Sequence, residues 1–161
     1  MAPLDNLTLV RSSPLAVELN DDECRELARV VKHRHLTHEE VLLAEGVCDD
    51  ALHVIVSGKL AATKKTGGDD EVVLHMYRAG ELVGELGFID GTPHSATLRA
   101  EGDSDVLTLH RGVFEAMIKN RPLATYRIMK AIIRSVHAIV RRMNVQYVEL
   151  TNYVTKQHGK Y

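Results

Sequence analysis

The chain has 161 residues, 45% hydrophobic and 26% charged, an ordinary balance for one soluble domain with a sizeable core. Its 20 Lys and Arg against 22 Asp and Glu give a net charge of −2, so no overall basic field invites a nucleic acid. Cys24 and Cys48 are too few for a disulfide framework and lack zinc or redox spacing; with no signal-peptide pattern and no apolar run long enough to span a bilayer, the expectation is a cytoplasmic protein.

Helical signals come first, over residues 12–31. Ser12-Ser13-Pro14 ahead of Leu15, Val17 and Leu19 predicts a short turn. Asn20 or Asp21 predicts the cap of a second helix, acidic in its first turn at Asp22 and Glu23. Cys24, Leu27, Ala28 and Val31 make its apolar stripe. Over residues 32–110 the period drops to two. Leu52, Val54 and Val56 alternate with His53, Ile55 and Ser57, and Val72, Leu74 and Met76 with Val73, His75 and Tyr77. Ala96, Leu98 and Ala100 follow, then Val106-Leu107-Thr108-Leu109. Lys64 to Asp70 reads as a polar hairpin tip. Short strands with glycine-rich turns predict a mainly β fold, an antiparallel jelly-roll or barrel with flanking helices.

Helix returns over residues 111–150. Arg111 to Ile118 forms a short segment ending near Asn120, and Pro122 suits the first position of a long helix. No Gly or Pro interrupts Leu123 to Leu150, about 42 Å of helix. Met129, Ile132, Val136, Ile139, Met143 and Leu150 form one seam, with Gln146 between the last two. Ile128, Ala131, Ser135, Ala138 and Arg142 form a second stripe. One stripe for the barrel and one for a partner predicts a homodimer through residues 123–150. A charge at Ile139 is then expected to separate it. The tail, Thr151 to Tyr161, is expected to fray.

Between the second and third named strands lies Gly80 to Ala96, GELVGELGFIDGTPHSA. Its glycines at Gly80, Gly84 and Gly87 permit tight turns and close backbone approach. Gly84-Glu85-Leu86-Gly87 reads as a loop entering one helical turn whose unpaired N–H groups suit an anion. A carboxylate at Glu85 suits the hydroxyls of a ribose.

The pattern G-E-L-x-G-E-L-G-F-x-x-G-x-P-x-S-A-T resembles the phosphate-binding cassette of cyclic-nucleotide-binding domains, in its bacterial, catabolite-activator-like form. The resemblance extends over roughly residues 15–150 and implies one domain over 1–161, with the cassette at 80–97. It implies that Gly84, Glu85, Leu86, Gly87, Ser95 and Ala96 bind ligand, Glu85 through a ribose hydroxyl. The family's phosphate-clamping Arg is His94 here. An imidazole offers one donor and is charged only below about pH 6.5. Weakened affinity for cyclic AMP or cyclic GMP is therefore expected, stronger toward acid and restored by His94→Arg. By position on the long helix, Arg142 is expected to pair with Glu85, and Gln146 with its neighbour Tyr147 to meet the purine edge. Too few residues follow Leu150 for a helix-turn-helix, so no DNA-binding element is expected within this chain.

Two other functions compete. One is a domain that keeps the fold without a ligand, serving dimerisation or a protein partner. The other is a cupin-type metal centre, since His33-x-His35-x-x-x-Glu39 ahead of Gly46 resembles half of the first cupin motif. The second cupin motif is missing, and Glu39-Glu40 falls where a polar turn is needed. No nucleophile stands out either: Ser57 lacks an elbow and Ser95 lacks a base, so a non-enzymatic, cofactor-free regulatory module is the leading expectation.

Overall fold

A computed structural model describes residues 5–68 and 70–158. The period-two segments pair into two four-stranded antiparallel sheets. The strands are β1 (Lys32–Leu36), β2 (Val41–Leu43), β3 (Ala51–Ser57), β4 (Lys59–Lys65), β5 (Glu71–Arg78), β6 (Leu82–Val83), β7 (Thr97–Ala100) and β8 (Ser104–His110). The first sheet runs β1-β8-β3-β6 and the second β2-β7-β4-β5, the antiparallel roll expected. The helices are α1 (Asn6–Ser12), α2 (Asp21–Val30), α3 (Glu85–Asp90), α4 (Arg111–Asn120) and α5 (Pro122–His158), with a 3-10 turn at Pro14–Ala16.

The core has two compartments, one on each face of the first sheet. Leu52 and Val54 of β3, with Leu107 and Leu109 of β8, meet Val10, Leu27, Phe114 and Ile128 from the helices. Ile55 and Val106, one residue out of phase, face Leu60, Ala62 and Leu98 inside the roll. These central strands are therefore apolar on both faces. At the edge of the second sheet, Val72, Val73 and Leu74 of β5 are all exposed.

Several boundaries differ from expectation. Helical structure begins at Asn6, not at 12, because Leu9 and Val10 already have an apolar floor to pack on. Asn20 caps α2 in a full capping box with Glu23. Lys64 and Lys65 belong to β4, so the hairpin tip is tighter, closed by Thr66 N–H donating to Asp70 O at 3.0 Å. The long helix continues through Thr151 to His158, where a frayed tail was expected; 159–161 lie outside the described residues.

Four cations from Arg121 on hold α5 to the N-terminal helices. Arg121 pairs with Glu26, Arg127 with Glu23, and both Lys130 and Arg134 with Glu18. Hydrogen bonds from Lys130 and Arg134 hold the Glu18 carboxyl down to about 2, against an ordinary 4.5. A depressed carboxyl stabilises the fold above its unfolded pKa and loses that contribution as the pH falls through its folded one. Glu18→Gln should therefore lower the melting temperature at pH 7, and the gap to wild type should close between pH 4.5 and 2. Melting curves across that range check it, and a gap independent of pH would remove Glu18 from the acid response.

Candidate functional site

The chain leaves β6 at Gly84, whose φ of +82° is a left-handed value natural to glycine. A Cβ there would lie 2.8 Å from the Ala51 carbonyl oxygen. The backbone then turns at once into α3, which Phe88 anchors in the helix-side core with its ring centroid 5.3 Å from that of Phe114. Gly87 is needed for closeness: a Cβ would stand 3.0 Å from His94 Cε1 and 3.2 Å from Asp49 O. Glycine spacing legible in the sequence thus presses the cassette helix onto the Asp49 loop.

Across from α3, the 92–96 segment is tied down by backbone. His94 N–H donates to Val47 O at 3.0 Å, and Gly46 N–H donates to His94 O at 2.8 Å. Lys64 Nζ donates to Ser95 O and to Glu45 Oε1, each at 2.8 Å, so this lysine is structural and not merely solvated. Between the two walls opens a cavity of about 320 Å³. Glu85, His94 and Ser95 line it, with Leu43, Tyr77 and Leu98 among its apolar walls. Burial pushes the Glu85 carboxyl up, and its own backbone N–H and the nearby His94 partly offset this.

The sequence-expected residues divide. Gly84, Glu85, Leu86, His94, Ser95 and Ala96 all line this cavity, and Gly87 lies buried beneath it. Arg142 does not reach Glu85. Its Nη1 stands 3.5 Å from Glu81 Oε1, with the guanidinium carbon 5.7 Å from the centroid of the Tyr77 ring. Gln146 and Tyr147 are exposed, as is every α5 side chain from Met143 to Lys156, and neither lines the Glu85–His94 cavity. A second cavity of about 290 Å³, between α5 and the roll, is lined by Leu82, Ala131, Ala138 and Arg142, and Tyr77 is a wall of both.

Asp49 and Tyr77 were missed. Asp49 Oδ1 stands 3.0 Å from His94 Nε2, ion-pair distance but off hydrogen-bond alignment, and the His94 side chain is only 8% exposed. Asp49 Oδ2 lies 3.9 Å from Nε2 of the buried His53, whose Nδ1 meets Thr108 Oγ1 at 2.9 Å. Burial pushes the Asp49 carboxyl up, but His53, the Ala51 N–H and the His94 charge outweigh it, so it sits below its ordinary range. Nothing local in the sequence marks Asp49. Tyr77 was readable as an inward residue of its strand.

The metal constellation does not assemble. His33 Nε2 and His35 Nδ1 both turn to Asp105 Oδ1, at 2.8 and 3.1 Å, where Ser57 Oγ also bonds the second oxygen. Glu39 sits in the following turn at φ +67°, nearest His38 and Arg99. Among the described residues no three His, Cys, Asp or Glu side chains are placed to hold a metal ion. No helix among them is long and apolar enough to cross a membrane.

A β-roll with a glycine-bounded helix at its cavity mouth, followed by a long helix, is the architecture of a cyclic nucleotide-binding-like regulatory domain. The chain belongs to the cyclic nucleotide-binding domain family, whose model matches residues 33–121. It is similar to a solved cyclic nucleotide-binding domain from Methylobacillus flagellatus, with TM-score 0.80 and 23% identity over 90% of this chain and 82% of that one. It is also similar to the regulatory domain of Toxoplasma gondii PKA in a co-crystal structure with cAMP, with TM-score 0.61 and 23% identity over 72% of this chain and 44% of that one. A curated relative is an uncharacterised NTE family protein of Mycobacterium bovis, 28% identical over 130 residues. Those residues are 81% of this chain but 22% of the relative, so the chain spans about a fifth of that protein's length.

Proposed function

We propose that this chain is a non-enzymatic regulatory module that takes a cyclic nucleotide or related ligand into the Glu85–His94 cavity and signals through α5 to a second copy. The observation that carries this is the half-buried Glu85 carboxyl at the head of α3, facing an apolar-walled cavity. A carboxylate in that setting needs donors, and ribose hydroxyls supply them. The 320 Å³ volume lies at the lower end of the range for small-ligand sites. Family membership supports a cyclic nucleotide as the ligand class. Cyclic AMP and cyclic GMP are the first ligands to titrate, and no separate cofactor is part of the reading.

Signalling through α5 rests on the wall that the two cavities share. Tyr77 lies between Glu85, which pushes its phenol up together with burial, and Arg142, which pulls it down. Any ligand that moves this ring also moves the packing of Arg142 on α5.

Calorimetric titration of wild type and Glu85→Ala tests the reading. Loss of a hydrogen bond to a charged group should cost about 1.5–3 kcal/mol, or roughly 10–100-fold in affinity. A bound nucleotide indifferent to the change sits elsewhere. One observation favours a second reading, a ligand-free interaction module: the His94 ring is turned to Asp49. Absence of binding in every titration would select it.

A further inference from the structure

Resting on the cavity reading above, we infer that Asp49 is the specificity-determining residue of this site: it engages the His94 ring from outside the cavity and sets a negative charge beside the imidazole that a phosphate would need, so the cavity favours an uncharged nucleoside over its cyclic phosphate.

The positions of the surrounding charges support this. Carboxylates lie on two sides of His94: Glu85 lines the same cavity as its ring, and Asp49 meets the ring from outside that cavity. The permanent cations nearby are engaged elsewhere. Lys64 is bound to Glu45 and Ser95 O, and Arg142 lies beyond Tyr77 against Glu81. His94 is the basic side chain that lines the cavity among the described residues, and its Nε2 lies 3.0 Å from Asp49 Oδ1. Behind Asp49 a further cavity is lined by Lys32, His33, Arg34, Asp50, His53 and His110. There Arg34 is taken by Glu40, His110 faces Asp50 at 3.4 Å, and His53 Nε2 lies 3.9 Å from Asp49 Oδ2.

The Asp49 carboxylate is not free to swing away. Ala51 N–H donates to Oδ1 at 3.4 Å, Gly87 packs over it, and the loop carrying it is pinned to His94 by the two backbone bonds at Gly46 and Val47. A phosphate entering beside His94 must share that imidazole with a carboxylate already 3.0 Å from it. An Arg placed at 94 alone meets the same fate, because a guanidinium fork grips a carboxylate as readily as a phosphate.

The experiment is calorimetric titration of the whole chain with adenosine and with cyclic AMP at pH 7.5. Wild type should bind adenosine at least as tightly as cyclic AMP. Asp49→Asn should strengthen cyclic AMP on the order of tenfold or more, by removing a like charge, and leave adenosine nearly unchanged. Asp49→Glu, which keeps the charge, should keep the wild-type preference. His94→Arg should gain much more for cyclic AMP when combined with Asp49→Asn than by itself. Three results overturn the inference while leaving the cavity reading in place: Asp49→Asn moving both ligands equally, cyclic AMP weakening in that variant, or wild type preferring cyclic AMP tenfold. Binding of neither ligand by any of these proteins overturns the cavity reading, and Asp49's role with it.

Discussion

If α5 carries the dimer contact proposed above, Val140→Asp combined with Met143→Asp is expected to leave the protein monomeric in light scattering while wild type scatters as a dimer. Along α5, Tyr126, Ile133, Val140 and Tyr147 fall at one heptad position and Met129, Val136, Met143 and Leu150 at the other, an alternating three-and-four spacing; Met129 and Val136 are half-buried and the other six exposed. Ile133 is 59% exposed, Met143 58% and Leu150 61%, and a single copy leaves them in water. A buried, unpaired carboxylate costs several kcal/mol, so two of them should weaken association by roughly a thousandfold or more. Ile139, at the middle of the sequence-expected seam, is the wrong place for this test. It is half-buried and lines the cavity between α5 and the roll, and Ile132 is fully buried there. A double variant that remains dimeric would move the interface off this face.

Arg127→Met carries the second large effect. Arg127 Nη1 donates to both oxygens of Glu23, at 2.8 and 2.7 Å, and the Glu23 side chain is only 7% exposed. Without the arginine, that carboxylate keeps one donor, the Asn20 N–H of the capping box at 2.9 Å. Breaking a buried pair from one side costs about 3–5 kcal/mol, and the partial exposure of Arg127 favours the lower end. At about 2–4 °C per kcal/mol for a chain of this size, the melting temperature should fall by about 6–12 °C. Adding Glu23→Gln should recover part of it, since the stranded charge is then gone. A shift under about 2 °C would mean that water reaches Glu23.

The contrast between these residues shows what could be read in advance. Glu85, His94 and Ser95 lie within one contiguous stretch whose glycines fix the local turns, so they could be placed from their neighbours alone. Asp49 acquires its role only when 44 intervening residues fold back to bring it beside His94, and no local pattern encodes that. Arg142 was matched to the wrong carboxylate for a similar reason. Glu81 and Glu85 are four residues apart, and only the packing of α5 decides which one the guanidinium meets. The seam failed differently. Met129, Val136, Met143 and Leu150 belong to two possible heptad registers, one completed by Ile132 and Ile139, the other by Ile133 and Val140. Both are apolar. Burial chooses between them, by seating Ile132 in the core and leaving Ile133 outside. The roll itself was legible because β3 and β8 are short apolar runs rich in Val, Ile and Leu and set between turn residues, whereas β6 contributes two residues, too few for any pattern to appear.

The four cations that fix the near half of α5 to the N-terminal helices also define a fulcrum. After Arg142 the described side chains are exposed, and the helix continues for 16 residues to His158, about 24 Å of overhang. Over such an arm a tilt of about five degrees at the root displaces the tip by about 2 Å, about half the separation of two carbon atoms in contact. Small repacking at Tyr77, far below what would disturb either sheet, is thereby magnified at the end of the helix farthest from the cavity.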